Sequence, residues 1–482
     1  MSLLQDRLSG VRVVVVANRE PYIHERDGDL VRWIRPASGL VTALDPIMRA
    51  TGGVWIAHGS GSGDRETADE RGRLAVPPKN PTYTLRRLWL TKEEEAGYYY
   101  GFSNRALWPL CHIAHTRPVF DGADWQQYQR VNARFAEAVL EEIDGAPAIV
   151  LVQDYHYALL PRIVKTQRPD AIISHFWHIP WPHREAFRIC PWQEELLDGM
   201  LGSDLLGFHV QLHCNNFLET VDRLIESRVD YERFSVTRSA HETKVRPFPI
   251  SIDMEGISQN GLSRSDVQSF RRSIGLKDDW TIALGVDRMD YTKGIPERLR
   301  AVDRFLERYP VWRNRFVFLQ LGAPSRTEIR EYRELNEQVD GLTRHINQKH
   351  GTSDWKPICL ARAHYGVEDI FAAYRAANVC VVSSLHDGMN LVAKEFVAAR
   401  DDNRGVLILS PFTGAAREMT EALLVNPYAI DQFADALNTA LTMSADEQKR
   451  RMQRLRAQVA DHNIYRWAGA LLTETFRLAN TP

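Results

Sequence analysis

The sequence predicts an α/β protein with two doubly wound domains that face each other across a cleft. Apolar stretches of strand length alternate with amphipathic helical patterns, and this alternation starts again near the middle of the chain. The stretches are apolar throughout and rich in β-branched residues, as expected of strands buried on both faces of a parallel sheet. Because ligands bind at the carboxyl ends of such strands, we expect the functional residues just after them.

The predicted N-terminal domain comprises residues 1–250. Its strands are predicted at 11–16, 148–152, 171–177 and 205–208. Between the first two strands, apolar residues recur at helical spacing from Trp125 to Val139. Pro247 and Pro249 oppose a continuous helix, so we place the domain boundary near residue 250.

The predicted C-terminal domain comprises residues 251–462. Its strands are predicted at 281–286, 316–319, 357–360, 378–383 and 406–409, and two of its helices at 367–377 and 430–443. The final segment, 463–482, is amphipathic and is predicted as a helix that packs back on the N-terminal domain.

The composition argues against several classes of protein. Apolar residues make up 44% and charged residues 25% of the chain, and the net charge is −2, so no nucleic-acid or membrane partner held by bulk charge is expected. The five cysteines are scattered, which argues against a disulfide framework or a zinc ribbon. The first residues do not form a signal peptide, and we expect a cytoplasmic protein.

The polar segment GVDRMDYTKG follows a predicted strand and precedes a helix. A forked cation, a point charge and the amides of a helix N-terminus together suit a diphosphate. Arg288 and Lys293 in the turn, with Gly294 at the start of the helix, supply all three. The alternative is a surface loop in which these cations pair with the neighbouring aspartates.

The segment SLHDGMNLVAKE also follows a predicted strand. Asp387 and Gly388 are predicted to form a tight turn, and Asn390 to cap the next helix, whose N-terminus again faces an anion. Glu395 lies further along, where a carboxylate can accept hydrogen bonds from ribose hydroxyls. The alternative is a well-capped helix with Glu395 in solvent.

Other strand ends carry weaker signals. Arg19 follows the first strand, and Ser38 and Gly39 begin a helix at which glycine permits close approach to a phosphate. Asp154 and His178 follow two further strands and are expected to project into the cleft, although a lone histidine more often belongs to the core.

The segment YYYGFSNRALW combines aromatic faces with phenolic hydroxyls. Such a cluster suits sugar binding but is more often part of a core. Cys111, His112 and His115 lie nearby without a fourth ligand at a suitable spacing, so no metal site is predicted.

Several of these motifs occur in a characteristic order: NRE, YYYGFSN-x-x-LWP, DYH, HIPWP, DRMDYTKG, APSR and DGMNLVAKE. Together they resemble the trehalose-6-phosphate synthases, from about residue 11 to residue 470. The resemblance implies a GT-B fold of two facing Rossmann-like domains with a cleft between them. It also implies retaining transfer of glucose from a nucleotide-glucose, UDP-glucose, to glucose 6-phosphate, giving α,α-trehalose 6-phosphate. The expected partners are these small-molecule substrates, without a cofactor or a metal, and a homo-oligomer stays open.

The resemblance implies roles for residues at matching positions. Arg288 and Lys293 hold the donor diphosphate. Asp387 contacts the glucose, Glu395 the ribose and Tyr365 the base. The predicted donor site is Ser38, Gly39, Arg288, Lys293, Tyr365, Asp387, Gly388, Met389, Asn390, Leu391, Val392, Ala393, Lys394 and Glu395. The predicted acceptor site is Arg19, Tyr99, Trp108, Asp154 and Arg326, and the predicted catalytic residues are Arg288, Lys293, His178 and Asp154.

The resemblance also implies a front-face reaction. A covalent intermediate would need a carboxylate at the anomeric carbon, and none stands out near the donor motifs. The leaving phosphate accepts the acceptor's proton, while Arg288 and Lys293 neutralise its charge in place of a metal.

Three positions depart from the family pattern: Ser38 replaces a glycine, Gln153 a histidine and His386 an arginine. The donor base and the acceptor therefore stay open. The alternatives are a glucosylglycerol-phosphate synthase that uses glycerol 3-phosphate, a transferase that couples cyclitols, and a catalytically inactive subunit that only binds sugar phosphate.

Overall fold

Two compact units make up the protein. The computed structural model describes residues 10–36, 39–259 and 263–479. Unit 1 contains the described residues up to Ile250 and from Ile464 onward, and unit 2 contains those from Ser251 to Asn463. The chain therefore leaves unit 1 after residue 250 and returns to it for its last helix.

The strands of unit 1 are β1 (Arg12–Val16), β2 (Ile23–Asp27), β3 (Leu30–Ile34), β4 (Val54–His58), β5 (Arg73–Val76), β6 (Tyr83–Leu88), β7 (Ala148–Gln153), β8 (Ile172–Phe176), β9 (Leu205–Phe208), β10 (Arg228–Asp230), β11 (Ser235–Arg238) and β12 (His241–Pro247). Except for the β2–β3 hairpin, they form one sheet in the order β10-β11-β12-β9-β8-β7-β1-β4-β6-β5. The strands from β12 to β6 run parallel, and antiparallel strands complete both edges. The four predicted strands are β1, β7, β8 and β9.

The first helices of unit 1 are α1 (Gly39–Thr51), α2 (Asp64–Thr67), α3 (Lys92–Glu95), α4 (Trp108–His112), α5 (Gly122–Ile143), α6 (Leu160–Gln167), α7 (Arg184–Phe187), α8 (Gln193–Met200) and α9 (Gln211–Leu224). A π-helix at Ala96–Leu107 joins α3 to α4. The helical pattern predicted between Trp125 and Val139 corresponds to α5, and both of these side chains are buried.

Unit 2 contains a six-stranded parallel sheet. Its strands are β13 (Thr281–Arg288), β14 (Phe316–Ala323), β15 (Ile358–Ala361), β16 (Val379–Val382), β17 (Val406–Leu409) and β18 (Leu423–Leu424), in the order β15-β14-β13-β16-β17-β18. This is the strand order of a Rossmann fold. The five predicted strands are all present, and a short sixth strand follows them.

The helices of unit 2 are α10 (Met254–Gln259), α11 (Arg264–Ser273), α12 (Ile295–Arg308), α13 (Arg330–His350), α14 (Val367–Ala376), α15 (Leu391–Ala399), α16 (Ile430–Thr442) and α17 (Ala445–Asp461). The predicted helices at 367–377 and 430–443 are α14 and α16. The last helix, α18 (Ile464–Ala479), lies in unit 1, where the Trp467 ring packs edge-on against Phe176 at 5.2 Å.

Each sheet has a switch point at which the strand order reverses. In unit 1 the chain continues from β1 to β4 and β6 on one side, and from β7 to β8 and β9 on the other. In unit 2 the same reversal separates β13 from β16. Ligands of doubly wound sheets bind at the carboxyl ends of such strand pairs. Within the described ranges, no helix is long and apolar enough to cross a bilayer.

Candidate active site

The end of β13 carries the two cations predicted to bind a diphosphate. Arg288 is the last residue of β13, so the prediction that it lies in the following turn is wrong. The reason is that the ladder with β14 continues as far as the pair of Arg288 with Ala323. Lys293 ends a short 3-10 turn, and Gly294 then precedes the first residue of α12, as expected.

Gly294 joins the two sides of this switch point. Its φ of 63° lies in the left-handed region, and a Cβ there would lie 2.2 Å from the carbonyl oxygen of Ser383. Only glycine meets both conditions without strain. Because Ser383 directly follows β16, the segments after β13 and β16 are packed backbone to backbone.

An ion pair links these segments through their side chains. The Nζ of Lys293 lies 2.6 Å from Oδ2 of Asp387, and both side chains are largely buried. The same carboxylate oxygen accepts hydrogen bonds from Ser384 and Asn390. In place of the tight turn predicted at Asp387, its backbone N–H donates to Phe412, which gives a parallel bridge to Thr413. The structure therefore brings a predicted diphosphate cation and the predicted sugar-binding carboxylate into contact.

Helix α15 begins as the sequence predicts. The side chain of Asn390 accepts a hydrogen bond from the N–H of Ala393 at 3.3 Å, so Asn390 is the N-cap. Further along, Glu395 is half-buried, and its Oε2 accepts a hydrogen bond from the hydroxyl of Tyr374 at 2.9 Å. Burial raises the pKa of Glu395.

The other predicted donor-site residues differ in how deeply their side chains are buried. Lys394 is buried and pairs with Glu418 at 2.6 Å, so its ammonium group is held inside unit 2. Gly388, Met389 and Ala393 are buried, whereas Leu391, Val392 and Tyr365 are half-buried.

A buried network that the sequence analysis missed lies behind the β13 loop. Arg298 on α12 is 1% exposed. It donates to Asp287 at 2.6 Å, to Gln320 at 2.7 Å and to the hydroxyl of Ser383 at 2.9 Å. One guanidinium thus fastens the ends of β13, β14 and β16 together. Helical spacing was the available signal, because Arg298 falls on the same buried face of α12 as Ile295 and Val302.

Arg326, which is predicted to contact the acceptor phosphate, is paired inside unit 2 in the free protein. Its side chain is 5% exposed, its φ is 45°, and Nη1 lies 3.4 Å from Oδ2 of Asp290. The hydroxyl of Tyr332 donates to the same carboxylate oxygen at 3.1 Å. Burial alone would raise the pKa of Asp290, but the charges of Arg326, Arg288 and Lys293 outweigh it and lower that pKa.

In unit 1, an exposed arginine follows β1, and the residue after it belongs to a buried ionic cluster. Arg19 is exposed, and its carbonyl oxygen accepts a hydrogen bond from the indole of Trp55 at 3.1 Å. The next residue, Glu20, is buried and accepts a hydrogen bond from Arg87 at 2.7 Å. Arg87 also pairs with the buried Asp64 at 2.8 Å.

The two carboxyl groups of this cluster have opposite pKa shifts. Burial raises the pKa of Glu20 to about 8, and its hydrogen bond with Asp64 adds to the increase. Burial would also raise the pKa of Asp64, but hydrogen bonds from His24 and Glu20 outweigh it and lower that pKa to about 2. Glu20 therefore holds the proton of the pair at neutral pH.

The neighbouring strand ends bring Asp154 and His178 into contact. Asp154 follows β7 with a φ of 74°, and its Oδ1 accepts hydrogen bonds from the N–H groups of Tyr155 at 2.9 Å and His178 at 3.2 Å. The ring of His178 contacts Gln153, with 3.0 Å between Nε2 and the amide Oε1. Burial lowers the pKa of His178 to about 3, and the rings of His175 and His156 add to this effect.

The aromatic segment divides between core and surface. Tyr99 is half-buried on the π-helix and stacks on His156 with 5.8 Å between ring centroids. Trp108 is 6% exposed, and its ring lies 4.1 Å from that of His112. Burial raises the pKa of the Cys111 thiol. Among the residues that the structure describes, no group of three or more potential ligands is arranged to hold a metal ion.

The helix start predicted at Ser38 and Gly39 is described only in part. Gly39 is the first residue of α1. Ser38 lies outside the described residues.

Comparison with known proteins decides the family. The model of glycosyltransferase family 20 matches residues 11–476. The chain belongs to glycosyltransferase family 20.

Relatives within family 20 match over nearly their whole length. A trehalose-6-phosphate synthase of Mycolicibacterium vanbaalenii is 40% identical over 477 residues, which cover 97% of this chain and 96% of the relative. A solved Escherichia coli structure bound with UDP-2-fluoro glucose superposes with a TM-score of 0.87 at 30% identity, covering 98% of this chain and 99% of the other. A UDP-forming α,α-trehalose-phosphate synthase of Burkholderia xenovorans in complex with glucose-6-phosphate has a TM-score of 0.84 at 29% identity, covering 96% of this chain and all of the other. The fold is the GT-B fold of these family 20 structures.

In this family 20 protein, the sequence predicts candidate residues at the strand ends but does not indicate the residues that hold them in place. Arg298 donates a hydrogen bond to the carbonyl oxygen of Lys293, and Tyr374 donates one to the carboxylate of Glu395. Tyr374 gives no local sign of its role, since an aromatic residue on a helix usually packs in the core.

Proposed function

We propose that this chain transfers glucose from UDP-glucose to glucose 6-phosphate with retention, giving α,α-trehalose 6-phosphate. The observation that carries the proposal is the contact of Lys293 with Asp387 at the switch point of a Rossmann sheet, where Arg288 ends β13 and Glu395 lies on the helix that follows β16. The names of the family 20 relatives support the same substrates.

The donor is assigned to unit 2. Arg288 and Lys293 bind the diphosphate, Asp387 the glucose hydroxyls and Glu395 the ribose. In the free protein, Lys293 forms an ion pair with Asp387. When the donor binds, its diphosphate contacts Lys293 and its glucose contacts Asp387. Tyr365 and the backbone of the segment from Gly388 onward complete the site.

The acceptor is assigned to Arg19, Tyr99, Trp108 and Asp154 of unit 1, with Arg326 as a further phosphate contact. Arg19 is exposed and suits this role, since a guanidinium binds phosphate in a bidentate manner. In the free protein, the side chain of Arg326 pairs with Asp290. To bind the acceptor phosphate, Arg326 must therefore give up this ion pair.

The reaction is a front-face displacement without a metal. As the bond between the anomeric carbon and the phosphate oxygen breaks, negative charge grows on the diphosphate, and Arg288 and Lys293 stabilise it. The departing phosphate oxygen takes the proton of the attacking hydroxyl. The site of action is the cytosol, which agrees with all five cysteines being free thiols.

The test is a matrix of UDP-, GDP- and ADP-glucose against glucose 6-phosphate, glycerol 3-phosphate and glucose. Turnover is followed by nucleotide release, and the configuration of the product is determined by NMR. We expect UDP-glucose with glucose 6-phosphate to be the preferred pair and the product to be α,α-linked. Preference for glycerol 3-phosphate would contradict the proposed acceptor, and absence of turnover with every pair would contradict the enzymatic function.

A further inference from the structure

Gln153 occupies an unusual position for an amide. It is the last residue of β7 and is 1% exposed. Its Oε1 lies 3.0 Å from Nε2 of His178, whereas its own Nε2 is buried and has no partner among the described residues. Leaving a buried amide N–H unpaired is unfavourable. The contact of Oε1 with His178 is therefore the interaction that can account for a glutamine at this position.

The ring of His178 is held on several sides. Phe176 lies 4.6 Å, His209 5.5 Å and Trp467 6.4 Å from it between centroids. Its backbone N–H donates to Asp154, and its carbonyl oxygen accepts from Nε2 of His209 at 3.0 Å. The histidine therefore has one orientation, and the remaining variable is which ring nitrogen carries the proton.

The charged and titratable groups around His178 keep the ring neutral. Burial opposes a positive charge on the ring, and the rings of His175 and His156 add to this effect. The Oδ1 atom of Asp154 accepts hydrogen bonds from the backbone N–H groups of Tyr155 and His178. A neutral imidazole has one N–H and one acceptor nitrogen. An amide oxygen can only accept, so its contact with Nε2 requires the proton there.

We propose that Gln153 is a positioning residue that fixes His178 as the Nε2–H tautomer and leaves Nδ1 as the acceptor for a substrate hydroxyl. Nδ1 has no hydrogen-bond partner among the described residues, and His178 is partly exposed. The tautomer is a property of the free protein. The hydrogen bond from a substrate hydroxyl to Nδ1 rests on the proposed transferase function. A reversed amide would donate to Nε2 and place the proton on Nδ1, so the two arrangements predict opposite spectra.

The first experiment is ¹⁵N NMR of the full-length protein labelled at its histidines. The signals of His178 are assigned by their loss in His178→Asn. We expect a protonated Nε2 and an unprotonated Nδ1 in the wild type, and a mixture of tautomers in Gln153→Met. Gln153→Glu keeps an acceptor at the same place and should keep Nε2 protonated.

Gln127→Met is the matched control. Gln127 is a second buried glutamine of unit 1 that has one paired amide atom, 3.0 Å from Glu93, and one buried amide atom without a partner among the described residues. The control should leave the spectrum of His178 unchanged. A wild-type signal from Nδ1–H, or a Gln153→Met protein that keeps the wild-type tautomer, would overturn the proposal.

The second experiment tests the use of Nδ1 during turnover. Losing one neutral hydrogen bond should lower kcat/KM of Gln153→Met about 2- to 12-fold. Monodeoxy analogues of the donor glucose and of the acceptor then identify the hydroxyl, since its removal should cost Gln153→Met less than it costs the wild type. Equal losses for every analogue would overturn this part. If the wild type turns over no substrate, the proposed function is contradicted. The NMR experiment still tests the tautomer, because that experiment uses the free protein.

Discussion

Replacing Arg298 by methionine tests whether one buried guanidinium holds the donor loops of unit 2. Methionine fills a similar volume without charge, but it removes the ion pair of Asp287. Within the described network, the Asp287 carboxylate then keeps the hydrogen bond from Gln320 at 3.2 Å. Removing one partner of a buried ion pair typically costs about 3–5 kcal/mol, because the other charge stays buried without compensation. We expect Arg298→Met to lose this amount of the free energy of unfolding.

Urea denaturation followed by tryptophan fluorescence measures this loss. Arg300→Met is the control, since Arg300 lies on the exposed face of the same helix and pairs with Glu297 at 3.2 Å. An exposed pair contributes about 0–1 kcal/mol. The double variant Asp287→Asn with Arg298→Met removes both charges and should recover part of the stability.

Two outcomes would refute the reasoning. A loss below about 1 kcal/mol for Arg298→Met would mean that the network adds little to stability. Additive losses in the double variant would mean that Asp287 and Arg298 are not coupled.

Further predictions concern catalysis, the acceptor and pH. Arg288→Ala should lower kcat about 10²- to 10³-fold, because one preorganised charge contact to the leaving group is lost, whereas Arg300→Ala should retain normal turnover. Activity should persist in excess EDTA, and rescue by Mg²⁺ of an EDTA-inactivated enzyme would contradict the role of the two cations. Arg326→Ala should raise KM for glucose 6-phosphate about 10- to 150-fold at saturating donor. An equal rise in KM for the donor would instead assign Arg326 to holding Asp290. Finally, a carboxyl pKa raised to about 8 makes wild-type stability fall as pH rises from about 4.5 to 8, since the folded state then binds more protons than the unfolded state. Glu20→Gln should therefore gain stability relative to wild type between pH 5 and pH 8 in urea titrations, and a constant difference would contradict the shift.

Apolar strands could be read from the sequence because burial on both faces leaves a continuous signal. The stretch from Thr281 to Val286 is such a case, but its end was missed, since Asp287 and Arg288 are polar and still paired in the ladder. β6 was missed entirely, because it contains Arg86 and Arg87, whose charges are compensated by Glu142 and Asp64, both distant in the sequence.

The sequence indicated polar residues of the candidate site where they directly follow a predicted strand. It did not indicate which of these residues form long-range ion pairs with each other or with buried groups. Lys293 and Asp387 are 94 residues apart, and no local pattern indicates that they form an ion pair. Arg326 was expected to contact the acceptor phosphate, but in the free protein it pairs with the buried Asp290, which is 36 residues away in the sequence. Local sequence specifies which groups are available at a site, and long-range pairing decides which of them are already occupied.

The return of α18 to unit 1 has a consequence for synthesis. A ribosome that has reached residue 463 has produced the whole of unit 2, yet unit 1 still lacks the helix whose Trp467 packs on Phe176 and lies 6.4 Å from the ring of His178. Domains usually fold in the order in which they emerge, N-terminal first. Here the unit that begins first is completed last, so the environment of His178 is assembled only when the final helix leaves the ribosome.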